Sequence, residues 1–323
     1  MHARVLNAAI IGLAGPELAA DEAALLERLP PVGVILFARN VADPAQLRAL
    51  TGAVRAVVPD AHVLVDQEGG RVARLRPPHW RVHPAAGEVL DARAAWLTGA
   101  IIGMECAAAG IDVVCAPVLD IGVPGADAVV GDRSYGDAAR VVALGRAMAD
   151  GLLAAGVQPV GKHAPGHGRA GVDSHRALPV VTGDVEADLE PFRALASLPW
   201  MMTAHVLYPD IDATRPGTLS PLVVEGVIRR RIGFQGVLVS DDLVMGALTG
   251  TMAERAAGAI AAGCDLALHC NGVLAESEAV LRSAGPVRPR TAARLQAGRA
   301  LAAARRQDLD IGALESERDG PRL

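Results

Sequence analysis

Gly233-Phe234-Gln235-Gly236-Val237-Leu238-Val239-Ser240-Asp241-Asp242-Leu243-Val244-Met245 carries a β-branched apolar run straight into two adjacent carboxylates. Burying that end of a strand costs desolvation energy unless the carboxylates face a polar mouth or a partner. Working outward, seven more short apolar runs share this form: Ala8 to Leu13, Val32 to Phe37, His62 to Asp66, Ile111 to Val118, Val157 to His163, Trp200 to Val206 and Cys264 to Cys270. Longer segments at helical spacing alternate with them, the pattern of βα units and a parallel sheet. In Asp43 to Val58, Asp43 suits the N-cap and Pro44 the first turn. Asp137 to Ala155 is a second helix, which Gly156 can end in a left-handed conformation.

Eight βα units can close into a barrel or open into a doubly wound sheet, and periodicity does not separate these outcomes. The polar residues do. Asp66, Asp120, Lys162 with His163, His205, Asp241 and Asn271 all fall at or just past the C-terminal ends of different strands. In a barrel those ends surround one mouth, whereas an open sheet spreads them along an edge. The expected fold is therefore a single-domain α/β structure, a (β/α)8 TIM barrel over residues 1–306. A polar, disordered tail is expected over 307–323.

Composition narrows the function. The net charge of -5 over 323 residues offers no basic surface for nucleic acid. No apolar run reaches the roughly 18 to 20 residues that cross a bilayer, so no membrane partner is expected. Ala8 to Gly15 imitates a signal-peptide core, but only His2 and Arg4 precede it, and a first buried strand is the simpler reading. Cys106, Cys115, Cys264 and Cys270 lack paired spacing and lie mostly in apolar stretches, which suits a reducing, cytoplasmic setting.

Three segments carry chemistry. Gly161 to His175 holds three histidines, Asp173 and Lys162, the only lysine in the chain, where every other basic side chain is Arg. It imitates a phosphate loop at Gly156 to Lys162, but His163 replaces the Ser/Thr and the stretch reads as a strand. Gly166 to Gly171 fits GxGxxG, yet no helix follows. His163 and His167 have the spacing of a helical zinc pair, but Pro165, Gly166 and Gly168 exclude the helix, so no metal is expected. In the second segment Asp241 is a candidate nucleophile, with Asp242 available as a helix N-cap. The third, Asp66-Gln67-Glu68-Gly69-Gly70-Arg71-Val72-Ala73-Arg74, gathers carboxylates and arginines that either bind sugar hydroxyls or form a loop salt-bridge network.

Together with Gly33 to Asn40, Ala116-Pro117-Val118-Leu119-Asp120, Gly131-Asp132-Arg133-Ser134-Tyr135-Gly136 and Met202-Thr203-Ala204-His205, these segments resemble the bacterial β-N-acetylglucosaminidases of glycoside hydrolase family 3. The resemblance covers nearly the whole chain. It implies a retaining β-N-acetylhexosaminidase in which Asp241 is the nucleophile and His175, paired with Asp173, is the general acid/base. It also implies that Asp66, Arg74, Arg133, Lys162 and His163 grip the terminal sugar. Ala164 departs from the pattern, since the family usually carries an aromatic residue before Pro-Gly.

An imidazole with an ordinary pKa near 6.5 exchanges protons around neutrality, and a neighbouring carboxylate holds its tautomer. The donor lies in a glycine-bearing loop and is expected to move into place on binding. The chemistry needs no metal or organic cofactor. By the resemblance, the substrate is a small glycan or muropeptide from peptidoglycan recycling, hydrolysed by a cytoplasmic monomer. Aromatic residues are only 2% of the chain, too few for an extended platform under a long polysaccharide. The rival readings are a phosphorylase or β-glucosidase of the same family, and a non-catalytic sugar-binding barrel.

Overall fold

All eight apolar runs form strands: β1 (Asn7–Gly12), β2 (Pro31–Leu36), β3 (His62–Val65), β4 (Val113–Val114), β5 (Gln158–Ala164), β6 (Trp200–Thr203), β7 (Val237–Asp242) and β8 (Leu266–His269). They pair in parallel with their sequence neighbours, and β8 returns to β1 to close the barrel. The computed structural model describes residues 5–123 and 130–320; His2, Arg4 and the last three residues of the tail lie outside these.

Helices follow the strands in turn: α1 (Ala20–Arg28), α2 (Pro44–Val57), α3 (Ala92–Ala108), α4 (Ala138–Ala154), α5 (Glu186–Ala194), a π-helical segment Leu222–Arg231, α6 (Met252–Ala262) and α7 (Leu274–Ala284). Local chemistry explains their ends. The Asp43 carboxylate accepts from the Ala45 and Gln46 amides at the start of α2, and Gly156, at φ 82°, follows the end of α4. β4 is shorter than expected, because Pro117 has no N–H to give a ladder. Beyond the proline the chain stays on β5, where Val118 bridges Lys162 and the Leu119 amide donates to the Lys162 carbonyl at 2.6 Å, which carries it to Asp120.

A further helix, α8 (Pro289–Arg305), sits at the other end of the barrel. There buried Asp265 accepts from Arg229, Arg294 and Thr291, while Arg299 reaches His62 at 3.1 Å. The barrel is thus plugged at its base and open at the strand C-termini.

The polar tail is not frayed as expected. Ile311–Asp319 forms α9, with Asp310 as its N-cap. Leu314 packs on Leu97, Ala100 and Ile101 of α3, and Glu317 pairs with Arg93 at 2.7 Å. The reason lies in α3, which is apolar around much of its circumference. One side meets α4, where a Cβ on Gly99 would come within 2.2 Å of the Met148 carbonyl oxygen, and the other needs a cover. Leu314→Ala is expected to cost about 2 kcal/mol, read as a lower urea midpoint. An unchanged midpoint would mean that α9 adds no stability.

Candidate active site

The barrel mouth holds a cavity of about 440 Å³ whose lining includes Asp66, Arg74, Arg133, Lys162, His163, Asp173, His175 and Asp241. Every site residue expected from sequence therefore reaches one pocket. Of the other polar strand-end residues, Asp120 and His205 are buried outside its lining and Asn271 turns away to Glu276 at 2.6 Å. A strand end faces the mouth only on alternate residues, so proximity in sequence overcounts the pocket.

One wall is a buried ionic lattice. Lys162 Nζ lies 2.8 Å from Asp66 and 2.6 Å from Glu68, and Arg74 donates to Asp66 at 3.0 Å. Arg133 grips both oxygens of Glu68, at 2.8 and 2.9 Å. Burial works against each charge, but Lys162 and its neighbouring arginines hold the Asp66 and Glu68 carboxyls below their ordinary range. The two carboxylates in turn push the Lys162 ammonium up, so it stays charged. Glu68, one of the carboxylates of the Asp66 to Arg74 turn expected either to bind sugar hydroxyls or to join a salt-bridge network, takes part in the network. Its partners come from distant segments, Lys162 on β5 and Arg133 in the turn Gly131–Arg133, so the sequence around it does not name them.

The floor is Asp241, at the end of β7. Burial alone would raise its carboxyl, but His163, His205, the Asp242 amide and Lys162 outweigh it and hold the pKa below its ordinary value. Beneath it, burial pushes the His205 ring down toward its neutral form. That ring donates from Nε2 to the Asp242 carbonyl at 2.9 Å and accepts at Nδ1 from Thr218 at 2.7 Å. The Asp241 amide meets Thr203 Oγ1 at 3.3 Å. The backbone is thus tethered on both sides of the carboxylate.

Asp242 is not the helix cap expected of it, since α6 begins only at Met252 and Thr251 caps it. Its carboxylate instead takes the Val244 and Cys270 amides, each at 3.1 Å. Burial, reinforced by the Asp241 charge, raises its pKa to about 6 despite those amides. A carboxyl raised by folding destabilises the folded state as pH climbs from its ordinary pKa to the raised one, because the unfolded chain gives up the proton first. Asp242→Asn should therefore gain stability relative to wild type between about pH 4 and pH 6. Urea midpoints across that range check this, and a constant difference contradicts it.

His175 closes the pocket from the loop after β5. Its Nδ1 lies 2.7 Å from Asp173, and its side chain is 66% exposed, so its ring is open to a leaving group or water. The loop is docked on the segment after Asp241, where the Gly246 amide meets the His175 carbonyl at 3.3 Å and the Ala247 amide meets that of Ser174 at 3.1 Å. A Cβ on Gly246 would come within 2.9 Å of that His175 oxygen. Ala164 is fully buried, and Tyr208 below donates to the Gly166 carbonyl at 2.7 Å. His163 and His167 have rings 5.9 Å apart in no helix, and among the described residues no group of three His, Cys, Asp or Glu side chains is placed to hold a metal.

Carboxylates and cations fixed in one small cavity suit a neutral, hydroxyl-rich ligand, and an imidazole facing an ionised carboxylate supplies an acid beside a base. Joined to the barrel, these features define the class as glycoside hydrolase. The chain belongs to glycosyl hydrolase family 3, whose N-terminal domain model matches residues 6–288. It is 43% identical over 274 residues to a β-hexosaminidase of Methylococcus capsulatus, covering 80% of this chain and 81% of that one. A β-hexosaminidase of Pseudomonas aeruginosa is 40% identical over 274 residues, covering 81% and 82%. NagZ from Neisseria gonorrhoeae, solved with N-trifluoroacetyl-D-glucosamine, superposes with a TM-score of 0.86 at 32% identity over 98% of each chain.

Proposed function

We propose that this chain is a retaining β-N-acetylhexosaminidase that removes terminal non-reducing β-N-acetylglucosamine from short glycans of the peptidoglycan-fragment type. The observation that carries this reading is Asp241 and the Asp173–His175 pair lining the same cavity. The names of its β-hexosaminidase relatives support the sugar. Asp66, Arg74, Arg133, Lys162 and His163 hold the hydroxyls. Asp241 attacks C1 and forms a C1–O bond as the glycosidic bond breaks, and the His175 proton passes to the leaving oxygen. Neutral His175 then takes a proton from water, whose oxygen attacks C1 and frees Asp241. The loop brings His175 into place on binding, before the glycosidic bond breaks. The enzyme works as a cytoplasmic monomer without a cofactor. Phe37 is the only Phe, Tyr or Trp lining the cavity among the described residues, which favours a short substrate.

The test is p-nitrophenol release from the β-N-acetylglucosaminide and the β-glucoside, each with and without phosphate. Preference for the N-acetyl substrate without phosphate supports the reading. A need for phosphate identifies a phosphorylase, preference for the glucoside a β-glucosidase, and turnover of neither a binding protein.

A further inference from the structure

Asp120 is fully buried behind the pocket wall, and four donors converge on it. Its Oδ2 accepts from His163 Nδ1 at 2.7 Å and from the His163 amide at 3.2 Å, while Oδ1 accepts from the His167 amide at 2.7 Å. Its backbone carbonyl takes the Ser134 hydroxyl at 2.7 Å. These donors belong to three segments of the site. His163 ends β5, Ser134 follows Arg133, and His167 opens the loop to His175, its Nε2 3.3 Å from Ser174 Oγ. Three of the donors meet the two carboxylate oxygens, and only a group that accepts at both satisfies them all.

We propose that Asp120 is a positioning residue that fixes His163 with its proton on Nδ1, leaving Nε2, which lies 3.5 Å from Arg133 Nη2, as an acceptor at the sugar site, and ties the stem of the His175 loop to the same carboxylate. The proposal rests on the roles given above to His163 and His175. It couples the grip on the sugar to placement of the proton donor, because one buried group sets both.

The first test needs no substitution at Asp120. Nitrogen-15 NMR of the wild-type imidazoles, with His163 assigned by its loss in His163→Gln, should show Nδ1 protonated; a bare Nδ1 with the proton on Nε2 overturns the tautomer assignment. Asp120→Asn keeps the shape but turns an NH2 group toward at least one donor. The expected loss in kcat/KM on the p-nitrophenyl substrate is roughly 10- to 100-fold, the effect of leaving a buried donor unsatisfied. The loss should be larger for a poor leaving group such as an alkyl β-N-acetylglucosaminide, and that excess should vanish in the His175→Ala background. A loss equal for both leaving groups and fully additive with His175→Ala would overturn the link to the loop. If His175→Ala alone shows no leaving-group dependence, the proton-donor reading fails instead, and with it the loop half of the proposal, while the NMR result still decides the tautomer half.

Discussion

Asp241→Ala is expected to lower kcat by roughly 10⁴-fold or more, because no second route to the glycosyl-enzyme exists once its nucleophile is gone. The carboxyl's pKa lies below its ordinary value despite burial, with the Asp242 amide and Lys162 among the causes, so it is ready to attack without first losing a proton. The lattice around Lys162 does not depend on Asp241, since Lys162 keeps Asp66 and Glu68 as partners. Sugar binding should therefore outlast catalysis, and isothermal titration with N-acetylglucosamine would separate the two. Near-normal turnover would remove Asp241 from the mechanism.

For His175→Ala the expected result depends on the substrate. An alkyl leaving group needs a proton as the bond breaks, and removal of its donor should slow cleavage roughly 10²- to 10⁴-fold. A p-nitrophenyl group departs as a stable anion, so its loss should be far smaller at the first step. The side chain is largely exposed and its main structural partner is Asp173, which should leave the melting temperature unchanged. Equal losses on both substrates would argue against the acid role.

Much of this arrangement is legible in the chain. Strands β1, β2 and β3 lie within a residue of the apolar runs that announce them, because a strand covered on both faces is apolar nearly throughout. That Asp66, Lys162, His163 and Asp241 share one mouth is legible because barrel topology brings the ends of β3, β5 and β7 together whatever their separation in sequence, whereas Arg74, Arg133, Asp173 and His175 lie in loops and take their expected roles only from the family resemblance. Long-range pairing was not legible. Glu68 meets Arg133 and Lys162, and Asp120 meets His163 and His167, only after the barrel closes. The order of α9 was also missed, although a signal existed in α3. A helix apolar on both flanks needs a cover on each, and the polar tail supplies the second through Leu314.

The most direct test of the central claim is to trap the covalent intermediate. Incubation with a 5-fluoro-N-acetylglucosaminyl fluoride, which forms the glycosyl-enzyme faster than it hydrolyses, should add one sugar to the intact protein. Peptide mapping should place that mass on Asp241, and Asp241→Ala should take up none. An adduct on another residue, or turnover of the reagent with inversion at C1 and no adduct, would contradict the mechanism.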